Sequence, residues 1–254
     1  MMSRIALVTG ATSGFGKAIA EKFAVEKYRV IITGRRKEKL DATAELLREK
    51  YKAEVLTLCF DVRDKKAVEE QIGNLPAEWT PVSLLVNNAG LALGRDFFDD
   101  AKMDDWETMI DTNLKGLIYV TRALLPHLKK SENPQIINIG STAAKEVYEK
   151  GNVYCASKHA VDALSQSMRI DLLRHGIKVT AVHPGAAETE FSLVRFKGDE
   201  EMARSVYQGF TPLSAGDVAN VVFYCSSLPP HVCINDLVVS GTAQANSYYF
   251  HKSQ

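Results

Sequence analysis

The sequence predicts an α/β fold, a doubly wound parallel sheet with helices on both faces, and three observations carry the prediction. Short apolar runs alternate with amphipathic stretches along all 254 residues. The first run leads directly into a glycine-rich turn and then a helical pattern. No linker, repeat or low-complexity block interrupts the series. Strand then helix, repeated, implies right-handed crossovers and a parallel sheet covered on both sides. A single domain over residues 1–254 is expected.

The first strand is expected at 5–9, where Ile5, Ala6, Leu7 and Val8 run into Thr9-Gly10-Ala11-Thr12-Ser13-Gly14-Phe15-Gly16. Ile19, Ala20, Phe23 and Ala24 then recur at helical spacing. Glycine lets the backbone turn tightly and approach a pyrophosphate, while the helix start offers unpaired N–H groups to its charge. The spacing, Gly-x3-Gly-x-Gly, differs from the commoner Gly-x-Gly-x2-Gly of dinucleotide sites.

The second strand, 30–33, ends at Gly34-Arg35-Arg36. A carboxylate there would bind the adenosine ribose hydroxyls and repel a phosphate, and none is present. Paired guanidiniums instead suit a 2′-phosphate, which points to NADP rather than NAD. The competing explanation is a solvated basic helix start, continued by Lys37 and Lys39.

Further strands are expected at 54–60, 83–87, 135–139, 178–183 and 236–240, with helices between them. The fifth, with Ile136, Ile137, Asn138 and Ile139, stops at Gly140 and so puts Ser141 at a strand's C-terminal edge. That edge is where open α/β sheets bind ligands. Tyr154 follows Ser141 by thirteen positions and Lys158 follows Tyr154 by four, one helical turn apart on one face. A fixed ammonium beside a phenol favours the phenolate and makes the hydroxyl a usable acid or base. Tyr248 and Lys252 share the spacing but have no strand and serine before them, so they read as a tail.

Composition bounds the rest. With 46% hydrophobic and 24% charged residues the chain is ordinary for a soluble globular protein, and its zero formal net charge points to neither nucleic acid nor an anionic membrane. Cys59, Cys155, Cys225 and Cys233 lack zinc or CxxC spacing, which fits reduced thiols in a cytoplasm. A strand begins almost at the first residue, and no apolar run is long enough to cross a bilayer.

The chain resembles the short-chain dehydrogenase/reductase family over essentially its whole length. The resemblance rests on TGATSGFG, Asp61-Val62, Asn87-Asn88-Ala89-Gly90, Asn113, Ser141, Tyr154, Lys158, and Pro184-Gly185 with Thr189. It implies a seven-stranded Rossmann-type sheet in the order 3-2-1-4-5-6-7. It also implies that Asp61 and Val62 flank the adenine, that Asn88, Ala89 and Gly90 line the cofactor, and that Thr189 with Pro184 and Gly185 holds the nicotinamide carboxamide. Lys158 would grip the nicotinamide ribose, and Asn113 would support a water chain from Lys158 to solvent. The alternative for Asn113 is a polar residue that merely bends its helix.

Longer stretches, NNAGLALG, DWETMIDTN, INIGSTA, GNVY and TEFSLVRFKGD, resemble the NADP-dependent 3-hydroxy acid dehydrogenase branch, also called serine or allo-threonine dehydrogenase. Its members oxidise the β-hydroxyl of small hydroxy acids or reduce the matching semialdehydes. One departure is His183, where the resemblance implies an acidic residue; it bears on substrate preference rather than on the reaction. A hydroxy acid needs a cation for its carboxylate, and Arg195 and Lys197 lie in the expected substrate loop, about 184–212. Two alternatives stay open: a reductase of acyl-carrier-protein thioesters or of a pterin ketone, and a non-catalytic NADP sensor. A small cation-bearing loop disfavours the first, and an intact Ser141, Tyr154 and Lys158 the second. The resemblance also implies a homotetramer paired through the helices around 105–130 and 152–175. The aromatic tail Tyr248-Tyr249-Phe250 is expected to pack on a neighbour or over its own site.

Overall fold

All seven apolar runs become strands: β1 (Ile5–Val8), β2 (Arg29–Gly34), β3 (Val55–Cys59), β4 (Leu84–Asn87), β5 (Gln135–Ile139), β6 (Lys178–Pro184) and β7 (Asp236–Val239). They come from a computed structural model that describes residues 4–252. The strands form one sheet in the order β3-β2-β1-β4-β5-β6-β7, every pair parallel. β1, β4 and β5 are buried at every position, whereas β7 at the edge alternates between exposed and half-buried residues. A central parallel strand under helices has no wet face, so its sequence shows no alternation.

Alternation in β1 still decides which core each residue joins, because successive side chains leave opposite faces. Ala6 and Val8 pack with Ile19 and Phe23 of α1 (Gly14–Val25). Ile5 and Leu7 pack on the other face with Val68, Val120 and Leu124. The remaining helices among the described residues are α2 (Lys37–Tyr51), α3 (Lys65–Gly73), α4 (Met103–Ile110), α5 (Leu117–Leu128), α6 (Asn152–Asp171), α7 (Glu190–Arg195), α8 (Glu200–Ser205) and α9 (Ala215–Ser227).

Several strand ends differ from expectation by a residue. β1 stops before Thr9 because Gly10 turns the chain with φ +66°. β2 runs on to Gly34 because β3 supplies a partner there, Cys59. The order reverses between β1 and β4, and the crevice outside their C-terminal ends is where the candidate site lies.

Two local devices aim the site. Between α4 and α5 the chain makes a π-helical turn, Asp111–Gly116, and such an insertion redirects a side chain without ending the helix. Inside the sheet, the Asn87 Nδ2 donates to Thr121 Oγ1 (2.8 Å) and Asn138 Oδ1 (2.9 Å), and Asn138 Nδ2 donates to Ser165 Oγ (2.9 Å). These buried amides tie β4 to β5 and both to α5 and α6, the helix that carries Tyr154. Of the tail aromatics, Phe250 packs on Phe210 of the same chain (ring centroids 5.0 Å apart), while Tyr248 and Tyr249 are exposed.

Candidate active site

The glycine turn is locked to the end of β4. Thr9 Oγ1 accepts from the backbone N–H groups of Asn88 (3.0 Å) and Ala89 (2.9 Å), and Asn88 Nδ2 donates to Thr9 O (2.9 Å). A side chain at Gly16 would put its Cβ 2.3 Å from Gly10 O, and one at Gly10 would sit 2.9 Å from Ala89 Cα. These glycines let strand and helix approach closely enough to form the cradle. One cleft joins Gly10, Thr12, Ser13, Gly14, Phe15, Arg35, Arg36, Asp61, Val62, Asn88, Ala89, Gly90, Tyr154, Lys158 and Thr189. Gly16, Asn113, Ser141, Pro184, Gly185 and Arg195 stand behind or beside that lining.

The two arginines diverge. Arg36 Nη2 donates to Thr12 Oγ1 (2.8 Å) and Ser13 Oγ (2.9 Å), so its guanidinium lies over the glycine turn. Arg35 instead pairs at 3.5 Å with Asp61, which also holds Arg63 (2.7 Å). Burial alone would push the Asp61 carboxyl up, but its hydrogen bonds and charge pairing with Arg63, and the charge of Arg35, hold it below the usual range. Asp61 therefore presents a carboxylate flanked by two cations at the far end of the cleft.

At the other end, Ser141 closes β5. It caps a short 3-10 turn, its Oγ accepting from Ala143 N (3.1 Å), and its hydroxyl acts on the Tyr154 phenol to lower its pKa. Tyr154 and Lys158 lie on the buried face of α6. Lys158 Nζ donates to the backbone of β5, at Ile139 O (2.9 Å). Burial pushes the Lys158 pKa down to about 8. Burial also raises the Tyr154 phenol, the nearby Tyr148 adds to the rise, and Ser141 and Arg195 draw it back. Both groups are desolvated, and desolvation disfavours each charged form.

Asn113 sits on the π-helical turn with its amide clamped to Leu91: Oδ1 accepts from Leu91 N and Nδ2 donates to Leu91 O, both at 2.8 Å. Nδ2 also donates to Ser157 Oγ (3.0 Å). A Cβ at Gly90 would meet Asn113 Oδ1 at 3.2 Å and Lys158 Nζ at 3.5 Å, so the two polar groups converge on that glycine.

Beyond β6 the chain forms the expected loop. Gly185 N donates to Val239 O (2.7 Å), rooting the loop on β7, and Thr189 Oγ1 caps α7 by accepting from Phe191 N (3.2 Å). Phe191 lies against the Tyr154 ring at 5.7 Å between centroids. Arg195 Nη1 donates to Tyr148 Oη (3.0 Å), and its guanidinium stands 5.6 Å from the Tyr154 ring centroid. Lys197 is not brought to the site; it pairs with Asp105 of α4 at 2.7 Å.

A glycine cradle under one end of the cleft and a serine, tyrosine and lysine at the other have a counterpart among known proteins. Residues 4–199 match the family model described as short chain dehydrogenase. The chain belongs to the short chain dehydrogenase family. It is 48% identical over 242 residues to the NADP-dependent 3-hydroxy acid dehydrogenase YdfG of Salmonella typhi, covering 95% of this chain and 96% of that one. It is 47% identical over 249 residues to sulfoacetaldehyde reductase 2 of Chromohalobacter salexigens, covering 98% of each. A solved structure described as the closed form of serine dehydrogenase complexed with NADP+ superposes with a TM-score of 0.91 at 45% identity, covering 98% of this chain and all of that one.

Several residues of this short chain dehydrogenase escape sequence reasoning. Tyr148, Phe191 and Glu190 reach the site only through folding; the signal for Glu190 was its place beside Thr189, and for Tyr148 there was none. His183 is fully buried behind Ser141, its Nδ1 3.2 Å from Ser141 O and its Nε2 3.0 Å from Asp236. Asp162 and Asp236, which face that ring, are both bound by Lys145. His183 therefore backs the serine without lining the cleft.

Proposed function

We propose that the protein is an NADP-dependent oxidoreductase of small 3-hydroxy acids: serine, allo-threonine, 3-hydroxyisobutyrate and 3-hydroxypropionate, or the matching semialdehydes such as malonic semialdehyde. The observation that carries this reading is the Arg195 guanidinium beside the Tyr154 ring. A cation next to the proton-transfer phenol selects substrates with an anion close to the reacting oxygen. A sulfonate meets the same requirement, and the sulfoacetaldehyde reductase relative keeps that aldehyde within the substrate class.

The residues fit NADP. Gly10, Gly14 and Gly16 with Thr12, Ser13 and Phe15 would receive the pyrophosphate, Arg36 and Arg35 the 2′-phosphate, and Asp61 and Val62 the adenine. Asn88, Ala89 and Gly90 would line the cofactor, Lys158 would hold the nicotinamide ribose, and Thr189, rooted by Pro184 and Gly185, the carboxamide. When bound, NADP(H) gives or takes the hydride. Ser141 Oγ orients the substrate oxygen, Tyr154 Oη exchanges the proton with it, and Lys158 replenishes Tyr154, with Asn113 supporting the relay. Burial raises the Tyr154 phenol, so it can donate its proton to a carbonyl oxygen in reduction, and the same groups run in reverse for alcohol oxidation.

Assembly as a homotetramer is part of the proposal, supported by exposed apolar side chains on and after the helices concerned: Ile110, Ile118, Ile170 and Leu173. Residence in the cytoplasm is supported by four free cysteines. Among the described residues, no helix is long and apolar enough to cross a membrane. The deciving experiment is a panel of initial rates: the four acids with NADP+, and malonic semialdehyde and sulfoacetaldehyde with NADPH. Turnover confined to an acyl-carrier-protein thioester or a pterin ketone would overturn the substrate class. A monomer by light scattering would remove the tetramer.

A further inference from the structure

Arg36, one of the two cations assigned to the 2′-phosphate, already holds an anion of the chain itself, which it shares with Lys39. Glu190, the first residue of α7, reaches back to α2 and its start, with Oε2 3.0 Å from Arg36 Nη1 and Oε1 2.9 Å from Lys39 Nζ. The hydrogen bond from Lys39, with that from Arg36, outweighs partial burial and holds the Glu190 carboxyl below its ordinary range, so it is ionised. Arg36 spends its other terminal nitrogen on Thr12 and Ser13. A bidentate phosphate contact at the end of that guanidinium therefore needs a nitrogen that is engaged.

Charge decides how such a conflict resolves. Two cations facing one carboxylate leave a single positive charge in excess. A phosphate monoester brings about −1.5 to −2 charges, so retaining Glu190 beside it would put like charges together on the same guanidinium. Exchange of one anion for the other keeps the cluster near neutral. The exposed pairs that Glu190 gives up are individually weak.

We propose that Glu190 is a built-in substitute for the 2′-phosphate: a lid carboxylate that must yield Arg36 and Lys39 before the ligand's phosphate can take them. NADP(H) affinity is then set by a competition within the protein. The first turn of α7, which continues into Phe191 and Arg195 at the Tyr154 ring, is released by NADP(H) and not by NAD(H). Glu190 is thus a specificity-determining residue that reports which dinucleotide is bound to the wall of the substrate site. This inference rests on the NADP reading given above.

The test is fluorescence titration of Glu190→Gln with NADPH and with NADH. Loss of the internal competitor should tighten NADPH by about threefold to tenfold, the size expected for two exposed ion pairs, and leave NADH within about twofold. In the wild-type protein, 2′,5′-ADP but not 5′-AMP should raise amide hydrogen exchange in residues 190–195. Unchanged NADPH affinity would overturn the proposal, and so would weaker binding, because that outcome makes Glu190 a clasp that helps hold the cofactor. Arg36→Met separates the two levels. If it leaves the preference for NADPH over NADH intact, the cofactor reading itself fails. If it removes that preference while Glu190→Gln changes nothing, only the competition fails.

Discussion

Tyr154 and Lys158 are 7% and 6% exposed, whereas the side chains of Arg35 and Arg36 are 53% and 40% exposed. The two ends of one cleft are thus built on opposite electrostatic terms. At the proton-transfer end, desolvation acts on both ionisable groups and moves their pKa values apart, the phenol up and the ammonium down. At the adenosine end, arginines and carboxylates pair in water, where each pair is weak and salt-screened. The first arrangement tunes a rate and the second tunes a choice of ligand. Substitutions at the buried end should therefore act on kcat and its pH dependence, and those at the open end on affinity and its salt dependence.

The largest effect is expected from Tyr154→Phe, which removes the proton-exchanging oxygen and nothing else. Turnover should fall roughly 10²–10⁴-fold, the usual contribution of a general acid, with NADPH affinity within about twofold. Retained turnover with weakened NADPH binding would reverse the contrast between the two ends.

Lys158 gives the contrast a pH axis. Its ammonium is present below about pH 8, so carbonyl reduction, which needs a proton, should fall as pH rises through that value. Alcohol oxidation should rise over the same range. The stability consequence has a definite sign. The folded pKa lies below the unfolded value of 10.5, so the unfolded chain binds more protons between the two, and stability rises with pH across that window. Below pH 8 the buried charge costs on the order of 3 kcal/mol. Lys158→Met should therefore abolish turnover and yet raise Tm by a few degrees at pH 7, with a gain that shrinks between pH 8 and 10.5. A lower Tm at pH 7 would show that the bond to Ile139 outweighs desolvation.

The same division explains what the sequence made legible. Thr9 to Gly16 is contiguous, and strand, turn and helix there follow from neighbouring residues. Tyr154 and Lys158 needed only helical geometry. Seven strands were readable because central parallel strands are apolar without interruption, and their limits shifted by about a residue at several ends, at β1 because Gly10 turns the chain. What could not be read was long-range and polar. Glu190 meets Arg36 across 154 positions, and Arg195 meets Tyr148 across 47. Local sequence carries no record of such pairs. Nor does it report desolvation, which pushes Tyr154 up and Lys158 down.

At the open end the larger effect belongs to Arg36→Met. Loss of a charge-assisted contact of about 1.5–3 kcal/mol should weaken NADPH about 10- to 100-fold and leave NADH nearly unchanged, with a flatter salt dependence. Arg195→Met lies between the two regimes, because its guanidinium stands 5.6 Å from the centroid of the buried Tyr154 ring. KM for anionic substrates should rise about tenfold, from loss of one charged partner, with a smaller drop in kcat. Unchanged kinetics with serine and 3-hydroxypropionate would move the anion clamp elsewhere.

Arg35 should show the smallest effect, although it stands beside Arg36 in the sequence. Its guanidinium is committed to Asp61, which keeps Arg63 as a closer partner at 2.7 Å. Removing Arg35 leaves Asp61 neutralised by Arg63, so no carboxylate is bared toward an incoming phosphate. An exposed pair of this kind contributes about 0.2–1 kcal/mol, and Arg35→Met should weaken NADPH by no more than about fivefold. Arg63→Met provides the complement: it takes the stronger partner from Asp61, and the combined Arg35→Met/Arg63→Met protein should lose more NADPH affinity than the two single losses multiplied together. Multiplicative losses would mean that the two arginines act independently of the carboxylate between them.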